Sequence, residues 1–245
     1  MDESLWDLAA CLLCDAHLHS GLAVVQLCRT YSFSCMQRFE SGTVLFRAGS
    51  ASTHFFVLRQ GQVKLMMMAA DGREQIIELA LPGQLLGVTT LEDPVYPCTA
   101  KALTQLSVCR IAYHALVNVL QTNPRVSLHL VRLLNQELKR TRGLIHTLGR
   151  KTSVQKVASL ILSLRPERNQ AETDLALPLS RDEIAGLLGL TVETVSRVMA
   201  DFRRKRIIDA PRGRGRIGIL DRAVLESLAD GASWSPDSPG VAGPA

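Results

Sequence analysis

The residues with most chemistry to offer sit in one short stretch. Glu193, Ser196 and Arg197 recur at intervals of three and four, which puts them on one face of a helix. An arginine there can donate two hydrogen bonds to guanine O6 and N7, and a glutamate can accept from the exocyclic amine of cytosine; serine is less discriminating. Thr191 and Thr194 stand beside them at the helix start. Glu193 and Arg197 are also spaced for a plain i, i+4 surface ion pair contributing ~0.2–0.5 kcal/mol, and such a pair would orient the arginine. Both readings stay open.

A second group is cysteine, at positions 11, 14, 28, 35, 98 and 109. Cys11, Cys14, His17 and His19 form a compact C-x2-C-x2-H-x-H set that zinc or iron could accept, although its spacing is tighter than in common structural sites. The alternative is a helix with half-buried cysteines; Cys28 lies on a stretch, Leu22 to Cys28, that reads as an ordinary amphipathic helix. The pair His17 and His19 also raises a metal-dependent cupin-like enzyme. It lies ahead of the β-rich region, no glutamate follows at the required spacing, and no nucleophile–base constellation appears elsewhere, so the chain reads as no enzyme.

The recognition face needs elements to hold it. Ser180 with Glu183 is a capping box that opens a helix through Leu188, Gly189 ends that helix in the left-handed conformation, and Thr191 caps the next. In this second helix Val192, Val195, Val198 or Met199, and Phe202 recur on the face opposite Glu193, with Ile184 and Leu188 of the first helix as their core partners. The motif spans 181–200. Ile207-Ile208 and Arg216 to Leu220 read as two strands of a wing around Arg212-Gly213-Arg214-Gly215, whose arginines can reach phosphates. From Arg197 to Arg216 the basic residues far outnumber Asp201 and Asp209, an electrostatic footprint for phosphates or else a solvated helix face.

Upstream, Gly42 to about Ile111 alternates short β-type runs with glycines: Thr43 to Phe46, Phe55 to Leu58, Val63 to Met68 and Gln75 to Leu81, with Asp71-Gly72 as a hairpin signal. This pattern predicts a jelly-roll-like β-barrel over 21–122, after an N-terminal segment 1–20. After Pro124 the period changes. Val131, Leu134, Leu138, Thr141, Ile145 and Leu148 step alternately by three and four, the seam of a long helix over 123–149 that pairs with a second copy in a homodimer. Packing of that helix on its own barrel is the competing reading. Another helix runs from Ser153 to about Leu164, ahead of a polar loop to Asp174. The DNA-binding domain is set at 150–223 and a largely disordered tail at 224–245, where Gly, Pro and Ser accumulate from Gly231. The fold class is therefore α+β.

The composition agrees with a globular chain: 245 residues, 47% hydrophobic and 21% charged, with net charge +5. No apolar run reaches the ~18–20 residues of a membrane span, and Met1-Asp2-Glu3 lacks the basic start of a secretory signal. The expected location is the cytoplasm and the expected partner double-stranded DNA.

The run LTVETVSR from Leu190 to Arg197, the glycine-punctuated β region, the long helix and the wing together resemble the CRP/FNR family of bacterial regulators, over nearly the whole chain to about residue 225. Glu193, Ser196 and Arg197 fall on the E-x-x-S-R signature of its FNR and FixK branch. The resemblance implies a cyclic-nucleotide-binding-like jelly roll, an inverted TTGAT-type half-site, contacts to RNA polymerase, and control of microaerobic, anaerobic or nitrogen-fixation genes, mainly as an activator. The family's cyclic AMP sensors use a glutamate after the last barrel glycine and an Arg-Ser pair further on. Here Gly87 is followed by Val88-Thr89-Thr90, and Pro97-Cys98-Thr99 holds no arginine for a cyclic phosphate, which argues against cyclic AMP. Its oxygen sensors hold a 4Fe–4S cluster on three clustered N-terminal cysteines and one central one. Cys109 falls at the central position and Cys11 and Cys14 resemble part of the N-terminal set, but no third cysteine closely follows Cys14. Cluster-free FixK-type members, controlled through their own synthesis, fit that incomplete set better, so no cofactor is assigned.

Overall fold

The structure is a computed structural model that describes residues 34–69, 72, 74–88, 95–122, 124–164, 173–209 and 215–232. Its chain divides into two compact units, one ending at Arg140 and one starting at Thr141.

The first unit is built on eight strands: β1 (Ser34–Phe39), β2 (Val44–Phe46), β3 (His54–Gln60), β4 (Val63–Met68), β5 (Glu74–Ala80), β6 (Leu85–Leu86), β7 (Thr99–Ala102) and β8 (Leu106–Ala112). They form two four-stranded antiparallel sheets, ordered β1-β8-β3-β6 and β2-β7-β4-β5. The predicted jelly roll is present, as two separate sheets that do not close into a barrel. Phe56 and Leu58 of one sheet and Val63, Leu65 and Ala100 of the other share one buried core, the usual outcome when two half-apolar sheets hide their faces from water. The run Phe55-Phe56-Val57-Leu58 is buried at every position, because β3 is covered on both faces and no alternation is needed. Gly61, at φ +86°, turns β3 into β4, and a side chain there would collide with the Gln105 carbonyl.

Two helices follow, α1 (Tyr113–Thr122) and α2 (Pro124–Arg150). Helix α1 packs against β8, and proline at the first position of α2 has no N–H to leave unpaired. The 27 residues of α2 correspond to about 40 Å of helix.

The second unit holds α3 (Ser153–Ser163), β9 (Asp174–Ala176), α4 (Arg181–Leu188), α5 (Val192–Arg204), β10 (Ile208–Asp209), β11 (Arg216–Ile219) and α6 (Arg222–Ala229). The three strands form one sheet, ordered β10-β11-β9. Strand β9 lies at the end of what reads in sequence as a polar loop, and α5 runs past the predicted motif end at residue 200. The predicted boundary at residue 223 is corrected by α6: Asp221 caps it, Leu225 and Leu228 are buried, and it packs on α3. The tail reading for 233–245 and the metal-ligand reading of Cys11, Cys14, His17 and His19 lie outside the described residues.

Candidate nucleic-acid interface

Local sequence sets the turn between α4 and α5. The Ser180 hydroxyl accepts from the Glu183 backbone N–H at 3.1 Å while the Glu183 carboxylate accepts from Ser180 N–H at 2.9 Å, a complete capping box. Gly189 ends α4 at φ 60°, ψ 47°, where a side chain is penalised. Thr191 then caps α5, its hydroxyl accepting from Thr194 N–H at 3.2 Å. Lys156 of α3 adds a long-range tie, donating to the Leu188 carbonyl at 3.1 Å, so a cation also meets the C-terminal end of α4.

Val195, Val198, Met199 and Phe202 are buried beneath α5 with Ile184 and Leu188, and Val192 is half-buried. The opposite face is open: Thr191, Glu193, Ser196 and Arg197 are exposed and Thr194 is half-buried. Glu193 is engaged at the helix start, where its own backbone N–H and the Thr191 hydroxyl donate to the carboxylate and hold it below the usual range. The Glu193 and Arg197 side chains are both presented outward.

The basic stretch is smaller than its sequence suggests. Arg216 forms a bidentate pair with Asp174, at 2.7 to 3.0 Å, which pulls the Asp174 carboxyl down and fastens β11 to β9. Arg204 pairs with Asp201 at 2.8 Å. Arg203 instead faces another arginine: Arg181, the first residue of α4, has its guanidinium pKa lowered by burial and then by Arg203. Arg203, Arg204 and Arg206 line an open cleft of about 710 Å³ with Ala200, Ile208, Asp209 and Leu220. Arg206 holds a positive φ of 53° as the chain leaves α5. Arg212 and Arg214 lie outside the described residues. Sequence reading missed Arg181, because a first-turn arginine gives no sign that it will meet another helix's end.

On α2 the seam is bare. Val131, Leu134, Leu138, Ile145 and Leu148 are 38–65% exposed, and Thr141 is exposed as well. Leu128, one step earlier and 61% exposed, extends the stripe and could have been found by carrying the repeat back. Leu130 is buried.

In the jelly roll, Gly87 lies beside the Tyr96 ring, and Cys98 is buried at the position where the resemblance places a phosphate ligand. The Cys98 thiol is pushed up by burial and then by Glu78, so a carboxyl group stands near that position. Cys109 is 3% exposed and pairs in register with Val57, on the face of β8 that Ile111 shares, away from the core between the sheets. The described residues hold no group of three or more histidine, cysteine or acidic side chains suited to a metal. No helix among them is long and apolar enough to cross a membrane.

A two-sheet jelly roll, a long helix and a capped helix-turn-helix with a wing define a DNA-binding transcription regulator. Residues 36–123 match the cyclic nucleotide-binding domain family and residues 155–228 the Crp-like helix-turn-helix domain family. The chain is 33% identical over 196 residues to the transcriptional activator protein FnrA of Stutzerimonas stutzeri, covering 79% of this chain and 80% of that one. It is 32% identical over 194 residues to the nitrogen fixation regulation protein FixK of Bradyrhizobium diazoefficiens, covering 78% and 80%. The structure of FixK2 from Bradyrhizobium japonicum superposes with a TM-score of 0.70 at 27% identity, over 81% of this chain and 98% of that one. The chain belongs to the CRP/FNR family, in its FNR/FixK branch, a family of transcription regulators and not of enzymes.

Proposed function

We propose that this regulator binds an inverted TTGAT-type palindrome as a homodimer in the cytoplasm and activates microaerobic, anaerobic or nitrogen-fixation genes with RNA polymerase. The observation that carries this reading is the outward face of α5, where Glu193, Ser196 and Arg197 stand exposed on a helix capped at its start. Arg197 reads guanine, Glu193 accepts from a cytosine amine, and Ser196 adds a less selective contact. Thr191 and Thr194 at the start of α5, the Arg203–Arg206 cleft and the wing's Arg212 and Arg214 supply phosphate contacts, which position the protein without reading sequence. The α2 seam provides the dimer: an exposed Leu or Ile gains roughly 1.5–3 kcal/mol when fully buried, so six large side chains per chain give association ample drive.

Cyclic AMP is not the signal in this reading, since Pro97-Cys98-Thr99 offers no arginine to pair with a cyclic phosphate. Control through the regulator's own synthesis fits it better. Direct oxygen sensing through a 4Fe–4S cluster on Cys11, Cys14 and Cys109 is the second reading, favoured by the burial of Cys109 on the outer face of β8.

The test is binding of the full-length protein, in air, to a TTGAT palindrome and to a scrambled duplex of equal length. Specific regulators prefer their site by roughly 10³-fold or more. Equal affinities would overturn the reading. Anaerobic purification separates the two control schemes: an iron-bearing, air-bleached protein supports the cluster, a colourless one that binds DNA the first scheme.

A further inference from the structure

Two acids meet where the jelly roll touches the long helix. Glu78 on β5 and Glu137 on α2 are brought together at one Gln84 amide. Ionised carboxylates only accept hydrogen bonds, so a direct bond between the two would need a proton on one of them. Gln84 holds the pair, its side-chain N–H₂ donating to Glu78 at 3.2 Å and to Glu137 at 3.3 Å. The Gln84 carbonyl accepts from Leu81 N–H, which fixes the amide's orientation. Arg140, one turn along α2, donates to the other Glu137 oxygen at 3.1 Å. The Cys98 thiol also faces Glu78, and the residue paired with Glu78 on β4 is the apolar Leu65. Arg140 thus meets Glu137 directly, while Glu78 meets the amide and the second acid.

We propose that the Glu78–Glu137 pair is a proton-operated tie between the jelly roll and the dimer helix. With the proton in place, strand, amide and helix form one connected network; without it, two carboxylates repel across a half-buried site. Burial first, and Glu137 second, push the Glu78 carboxyl up to about 7. A carboxyl raised in the folded state stabilises fully below its unfolded value near 4.5 and loses that contribution as pH rises through about 7. The tie therefore loosens toward neutral and mildly alkaline pH. Glu137 lies between Leu134 and Leu138 of the bare seam, so the loosening acts on the stretch of helix that a second copy would meet. This inference is independent of which DNA sequence is read.

The experiment is a pH series on the full-length protein, following the infrared carbonyl band of protonated carboxyl groups and the thermal midpoint. In the wild type, a protonated-carboxyl band persists at about pH 6 and titrates away near 7, and the midpoint falls by several degrees between about pH 4.5 and 7. Glu78→Gln removes that band and flattens the fall, because its amide donates to Glu137 at every pH. Glu137→Gln is the second variant and flattens it likewise. A wild type with no such band at pH 6, or variants whose melting curves fall in parallel with it, would overturn the tie.

Discussion

In the DNA-binding unit, α4 and α5 are started and stopped by residues three or four positions away: Ser180 with Glu183, Gly189 with Ala185, Thr191 with Thr194. The jelly roll places its charged network by strand register and by a helix residue 53 positions beyond Gln84. The first arrangement depends on neighbours in the chain; the second exists only once the fold has closed. One region is thereby built for a fixed geometry, the other for a contact that folding makes and the loss of a proton can unmake.

Three variants sharpen that contrast. The largest effect belongs to the seam, which neither region can hide by itself. Replacing Leu138 and Ile145 together with Asp should give a monomer by sedimentation and weaken palindrome binding ~100-fold or more, since the two half-sites are no longer engaged together. A variant that remains dimeric would assign dimerisation to another surface. Next comes Ser180→Ala, which breaks the capping box and should cost ~0.5–2 kcal/mol, a fall of ~2–4 °C in midpoint per kcal/mol; no change would mean that Lys156 and packing hold α4 without its cap. The smallest is Arg206→Gly. It relieves the left-handed backbone and should raise stability by about 1 kcal/mol, while lowering affinity equally for specific and random DNA; unchanged affinity would remove the Arg203–Arg206 cleft from the phosphate path.

Legibility followed the same division. The caps, the αL glycine, the buried stripe of α5 and the end of α3 could be read directly, because each rests on a local spacing. Strands β2 to β5 could be placed to within a residue or two by their β-branched and aromatic runs. Strands β6 and β9, two and three residues long, offer no alternation to detect. Helix α6 went unread because the Gly- and Pro-rich stretch after it drew the boundary too early. Glu78 looks in sequence like any polar residue of a half-exposed strand, and nothing near it announces Glu137. The engagement of the Glu193 carboxylate by its own N–H and the Thr191 hydroxyl could not be read from the spacing, which equally suits an ion pair with Arg197.

The central claim is that Arg197 reads a base. Affinity of the wild type and of Arg197→Ala should be measured on the palindrome and on duplexes changed at each half-site position in turn. The account predicts a loss of ~1–3 kcal/mol for Arg197→Ala on the intact site, with discrimination lost at a single base pair and kept elsewhere. A loss of the same size on every duplex, random DNA included, would contradict it and reduce Arg197 to a phosphate contact.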